Sequence, residues 1–224
     1  MPIKIPKEEL EVFQTLKDLK VVFDVGCRDD LDMFELRPEA EYHLFEPHIE
    51  FIGDMKAKLR ELNRKGIPHN IKLNEMGLGD KHEEAVYYEQ IQSFVFRPFD
   101  WKMDERTYQI RTLDWYCDYY NIDKIDFLKI DAEGYDYKIL LGGQKILKNT
   151  KYLQVEWGNV DRFYNLLKED FDLFLMMEPE LKKLFDKRAV PTQLLMPLTS
   201  ELVIMLDTAI SPTGAGGNIL GVRK

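Results

Sequence analysis

Apolar residues three apart mark the first element. Leu10, Phe13, Leu16 and Leu19 recur among Lys and Glu between residues 7 and 19, which is the stripe of an amphipathic helix. The pattern then changes. Val21-Val22-Phe23-Asp24-Val25 is a near-continuous apolar run, as expected of a strand buried on both faces. Residues 29–37 predict a short helix closed by Pro38. Tyr42-His43-Leu44-Phe45 and Ile71-Lys72-Leu73 predict two more strands. The stripe of Ile49, Ile52, Met55, Leu59 and Leu62 puts a helix between them, with Gly66 as its stop.

The second half continues the alternation. Residues 84–111 are irregular, with short strands expected at 85–88, 94–96 and 108–110 around a loop holding Pro98 and Trp101. Thr112 predicts the cap of a helix through Tyr120. Residues 126–143, DFLKIDAEGYDYKILLGG, read as a buried strand, an acidic turn at Asp131 and Glu133, and a helix running to about residue 147. Strands are expected at 152–157, 171–177 and 202–206. A helix carries Val160, Phe163, Leu166 and Leu167, and a shorter one carries Leu181, Leu184 and Phe185. The whole predicts a doubly wound, mostly parallel α/β sheet. With no repeat and no linker, residues 1–224 read as a single domain. It has an N-terminal helix in 1–19, a variable insertion at 84–111 and a loop-like tail at 208–224.

Composition narrows the partners. The chain has 224 residues, 45% of them hydrophobic and 32% charged, enough for one sizeable core. A net charge of −9 argues against nucleic acid and against an anionic membrane surface. No run approaches membrane-spanning length. Two cysteines, Cys27 and Cys117, make no disulfide framework, so a reducing, cytoplasmic setting is expected. Nothing in the pattern bears on oligomeric state.

The acids then suggest chemistry. Asp24-Val25-Gly26 closes the first strand, where a glycine lets backbone approach a ligand. Glu46 closes the second strand, placed to accept hydrogen bonds from both hydroxyls of a ribose. A dinucleotide would need Gly-x-Gly-x-x-Gly, yet the run here is Gly26-Cys27-Arg28-Asp29-Asp30. Aspartates at the phosphate positions favour a cationic sulfonium nucleoside, S-adenosylmethionine.

These segments together resemble the FkbM family of S-adenosylmethionine-dependent methyltransferases. The carrying stretches are VVFDVGC (21–27), HLFEP (43–47), NEMGLGD (74–80), RTLDWYC (111–117), DFLKIDAEGYDYKILLGG (126–143) and YLQVEW (152–157). The resemblance implies a class I methyltransferase fold, Rossmann-like, with seven strands in the order 3-2-1-4-5-7-6. It implies O-methylation of a hydroxyl on a sugar, glycan or secondary metabolite. It places Asp24 and Gly26 beside the methionine moiety, Glu46 at the ribose, Met76 and Gly77 at the adenine, and Asp131 at the methyl end. The turn from Cys27 to Asp30 departs from the small, glycine-containing turn usual there. That departure motivates a second reading, a non-catalytic methyltransferase-like scaffold; an RNA 2′-O-methyltransferase is a third.

A sugar hydroxyl is a poor nucleophile at neutral pH, so a base or a metal is expected to assist. Asp131 and Glu133 are the candidate bases. With Glu156 they form the candidate ligand set for Mg²⁺, which prefers oxygen. Lys129 shares a strand face with Asp131, either as its ion-pair partner or as a group orienting substrate. The blander alternative pairs Glu133 and Glu156 with Lys129 or makes them helix caps.

Overall fold

The computed structural model describes residues 7–88, 93–94, 104–176, 195–209 and 217–224. The strand with the strongest apolar run sits centrally. β7 (Ile125–Ile130) is buried at all six positions. It pairs in parallel with β1 (Val21–Val25) on one side and β8 (Thr150–Trp157) on the other. Beyond β1 lie β2 (Glu41–Phe45) and β3 (Asn70–Asn74), both parallel. Beyond β8 come β11 (Gly217–Arg223), β9 (Phe171–Met176) and β10 (Leu195–Pro197), each antiparallel to its neighbour. The eight strands run β10-β9-β11-β8-β7-β1-β2-β3. Without the three-residue edge strand β10, renumbering the remaining seven in chain order gives 3-2-1-4-5-7-6, the expected order.

The two-residue period of the strands sorts side chains between two helical layers. Val22, Tyr42, Leu44 and Phe127 face one layer, with α1 (Lys7–Thr15), α2 (Asp32–Leu36) and α3 (Ile49–Arg64). Phe13 of α1 meets Phe127 edge-on at 5.1 Å. Phe23, Phe45, Leu128, Ile130 and Val155 face the other layer, with α4 (Leu113–Tyr120), α5 (Asp136–Leu141), α6 (Val160–Leu167) and α7 (Ser200–Ala209). Thr112 caps α4 as expected, its hydroxyl accepting from the Trp115 N–H at 3.1 Å. A second, three-stranded sheet is ordered β4 (Gly77–Leu78), β6 (Glu105–Arg111), β5 (Glu83–Tyr88). The strands expected at 85–88 and 108–110 fall in it. Most of 94–96, with Pro98 and Trp101, lies outside the described residues, as does the helix expected around Leu181.

Three expectations are corrected. Residues 202–206 are not a strand but the middle of α7. The run Leu-Val-Ile-Met-Leu fits a buried strand or a buried helix. Val203 and Leu206, three apart, are buried while Ile204 is exposed, and the Thr199 hydroxyl accepts from the Leu202 N–H at 3.3 Å as a cap. The tail is not loop-like throughout, because residues 217–223 form β11 between β8 and β9. Finally, the helix after β7 stops at Leu141 and gives way to a 3₁₀ turn (Ile146–Asn149). A Cβ on Gly142 would stand 2.0 Å from the Gly79 carbonyl oxygen, so only glycine admits that neighbouring loop.

Candidate active site

Strand register builds the floor of the site. Asp24 of β1 pairs with Lys129 of β7, which pairs with Gln154 of β8. Residues paired in parallel point to the same face, so these three side chains form a polar row directly above the apolar row of Val22, Phe127 and Tyr152. The Lys129 ammonium lies 3.2 Å from Asp131 Oδ2 and 3.8 Å from Asp24 Oδ1. Gln154 donates to Glu9 of α1, and Asn218 of β11 donates to the other Glu9 oxygen at 3.2 Å. Five elements therefore meet in one buried polar network.

Burial governs its charges. Desolvation disfavours the Lys129 cation, but Asp131, Asp24 and Glu9 outweigh it and hold the lysine firmly protonated. Burial pushes the Asp24 carboxyl up to about 6; Lys129 offsets part of this, while Asp131 and Asp30 add to it. Asp24 Oδ1 is buried and has no hydrogen-bond donor among the described residues. A buried carboxylate oxygen without a protein donor fits a ligand that brings one.

The second strand supplies the other wall. Glu46, at the end of β2, is buried, and its oxygens accept from the backbone N–H groups of His48 at 2.7 Å and Arg28 at 3.0 Å. Burial still wins over these bonds and raises its carboxyl to about 7. Gly26 takes a left-handed conformation, φ +82°, and a Cβ there would stand 1.8 Å from the Asp131 carbonyl oxygen. The turn from β1 is thus pressed against the turn from β7. Arg28 does not reach across the site. Its guanidinium lies over the Phe51 ring at 4.6 Å, and Asp30 accepts from the Asp32 N–H at the start of α2.

The turn after β7 is tightly fixed. The Asp136 carboxylate accepts from Ala132 N–H at 2.8 Å and Gly134 N–H at 2.9 Å. Between them Glu133 sits at φ +49°, a left-handed conformation that costs a non-glycine residue about 1–3 kcal/mol. The Ser93 hydroxyl braces it by donating to the Glu133 carbonyl at 2.8 Å. Strain held in place by neighbours on both sides is a mark of a functional turn.

Asp24, Gly26, Glu46, Met76, Gly77, Lys129, Asp131, Glu133 and Glu156 all line one cavity of about 340 Å³. The cavity opens at the carboxyl ends of β1, β2, β7 and β8, where open α/β sheets bind ligands. Tyr87 and Phe94 of the variable region line it too, as do Glu9, Asn218 and Phe51, which the sequence did not single out as a site. Glu9 is one acid among several on a charged helix, and Asn218 lay in the segment read as a tail. Neither had a local signal.

The metal expectation fails on geometry. Among the described residues no group of three His, Cys, Asp or Glu side chains is arranged to hold a cation. Asp131, Glu133 and Glu156 are not drawn together as a ligand set, and an ammonium already sits against Asp131. His43 is a satisfied core histidine: its ring nitrogens meet the Tyr116 hydroxyl at 2.8 Å and Glu41 at 3.0 Å.

Fold and cavity together define a class I, S-adenosylmethionine-dependent methyltransferase. The model of the methyltransferase FkbM domain matches residues 24–184, and the chain belongs to that family. It is 22% identical to the 2-O-methyltransferase NoeI of Sinorhizobium fredii over 190 residues, 72% of this chain and 74% of the relative. Among solved structures, methyltransferase FkbM from Methylobacillus flagellatus aligns with a TM-score of 0.53 at 16% identity. That match covers 79% of this chain but 46% of the other, so the chain spans about half of that protein's length. SMU.1697c of Streptococcus mutans, solved in complex with SAH, aligns over the full length of both chains with a TM-score of 0.50 at 13% identity. At these identities the structural matches speak for the fold.

Proposed function

We infer that the chain transfers a methyl group from S-adenosylmethionine to a hydroxyl of a sugar, glycan or related small molecule. One observation carries this reading: the nine residues expected for it, from five strands and their turns, line a single acid-rich cavity at one edge of the sheet. The 2-O-methyl transfer for which the Sinorhizobium fredii relative is named supports oxygen as the accepting atom.

The residues present suit this methyl donor. Asp24 Oδ1, buried and without a donor among the described residues, would accept from the amino group of its methionine moiety. Glu46 receives the two ribose hydroxyls on the lone pairs its backbone partners leave. Met76 and Gly77 flank the adenine. Seven acids against Arg28 and Lys129 along the cavity give a field that favours a cation. S-adenosylmethionine, when bound, supplies a methyl group activated by positive sulfur.

Lys129 fixes Asp131 at the methyl end rather than touching the acceptor. Glu133, on its strained turn, takes the proton. As the acceptor oxygen took the methyl group, with the carbon–sulfur electron pair left on sulfur, its hydroxyl proton would pass to the Glu133 carboxylate. The contribution asked of such a base is about 10²–10⁴ in rate.

Calorimetric titration with S-adenosylmethionine tests the reading. Binding is expected, and Glu46→Ala is expected to weaken it by about 10- to 100-fold, the worth of hydrogen bonds to a charged acceptor. A wild-type chain that gives no heat and no thermal shift with the donor would sink the proposal.

A further inference from the structure

The buried face of α1 contains a charge. Glu9, Val12 and Phe13 of the helix and Leu16 just beyond it keep the i, i+3, i+4, i+7 spacing of one face, and all four are buried. Three of them are ordinary core residues. The first is a carboxylate that lines the methyl-donor cavity. We propose that Glu9 is a specificity-determining residue, whose charge biases the cavity toward the sulfonium donor and against its uncharged product, S-adenosylhomocysteine. The proposal rests on the methyl-transfer reading above and adds what tells donor from product.

A carboxylate at a core position carries a desolvation cost. The amides beside Glu9 do not account for it. Gln154 of β8 and Asn218 of β11 each donate to one of its oxygens, and neutral amides need only a neutral acceptor. Lys129 does not account for it either. That ammonium already has Asp131 at 3.2 Å and Asp24 at 3.8 Å, and the charge of Glu9 adds a third acid to the same cation. Replacing Glu9 by a neutral residue changes the field in the cavity by one unit, whatever else the carboxylate touches. In a buried setting such a change reaches further than it would in water.

Donor and product share the adenosine and the amino-acid end. They differ by one methyl group and by the positive charge on sulfur. Contacts with the shared parts cancel when the two affinities are compared, and the field at the sulfur remains. Asp131, the acid expected at the methyl end, and Glu9 act on one ammonium from two different elements, so both charges bear on that end of the cavity. Asp24 and Glu46 contribute less steadily near neutral pH, because burial brings their carboxyls to about 6 and about 7. Methyl transfer removes the ligand's sulfur charge, and with it part of the product's hold on the cavity.

Calorimetric titration of the full chain with S-adenosylmethionine and with S-adenosylhomocysteine tests this. At pH 8 Asp24 and Glu46 are largely ionised, so the charge removed is that of Glu9 alone. The quantity read is the Kd of the product divided by the Kd of the donor. Glu9→Gln and Glu9→Met, which remove the charge and nearly keep the size, are each expected to lower this ratio about fivefold from its wild-type value. Glu9→Asp keeps the charge and should keep most of the ratio. Asp118→Asn, at an exposed acid of α4 outside the cavity, should leave it unchanged. A merely structural Glu9 would weaken donor and product in parallel. A ratio unchanged in the two charge-removing variants, or lowered equally in Glu9→Asp, overturns the proposal. Failure of both charge-removing variants to fold overturns it as well, since Glu9 would then be structural. A wild type that binds neither nucleoside overturns the methyl-transfer reading instead.

Discussion

Lys129 shows what one residue holds together. It is a buried cation facing Asp131, Asp24 and Glu9, from two strand ends and a helix. Lys129→Met would leave Asp24 and Glu9 buried, and Asp131 beside them, without their counter-charge, and the expected loss is about 3–5 kcal/mol. Urea unfolding at two pH values checks it: Lys129 lowers the Asp24 carboxyl, so the variant should be hurt more at alkaline than at acidic pH. The wild type carries a related signature. Asp24 is raised from 3.8 to about 6 and Glu46 from 4.5 to about 7. The folded state binds these protons more tightly than the unfolded state, so their ionisation costs stability as pH rises through that window and nothing further above it. A ligand bringing ammonium and hydroxyl donors favours the ionised carboxylates. Binding of S-adenosylmethionine at about pH 6.5 should therefore release protons, seen as a buffer-dependent calorimetric heat, and Glu46→Gln should reduce the release.

Among the elements, legibility in the sequence followed burial on both faces. β1, β2, β7 and β8 announce themselves because each must satisfy two layers, and their carboxyl-end acids are legible for the same reason. Asp24, Glu46 and Asp131 stand where apolar runs stop. The elements misread are those whose local pattern fits two structures. The apolar run in α7 has no polar interruption to fix its period. β11 follows a glycine-rich stretch, carries glycines of its own and becomes a strand only because β8 and β9 offer it two edges. Glu9 and Asn218 stayed hidden because their importance is wholly tertiary. Ile219→Ala tests the corrected element. A fully buried position in a central strand should lose about 2–5 kcal/mol in urea unfolding, whereas a loop-like tail would change by under about 0.5 kcal/mol.

At the scale of the whole molecule, two helical layers hold the sheet, and the ligand edge joins pieces far apart in the chain. Occupying that edge should stabilise all of them together. S-adenosylhomocysteine at a hundred times its Kd contributes about 2.7 kcal/mol, which for a chain of this size raises Tm by about 5–10 °C in scanning calorimetry. The same long-range construction bears on how the protein is made. β11 is the last of the described strands to be synthesised, yet it lies between β8 and β9, which are made well before it. A growing chain that has not reached residue 217 has a slot in its sheet and two bare strand edges open to wrong partners. It also lacks Asn218, so Glu9 waits on the ribosome for one of its side-chain donors. Translation pauses before residue 217 should then expose the chain to aggregation, and methyl-donor binding should appear only after the strand has emerged.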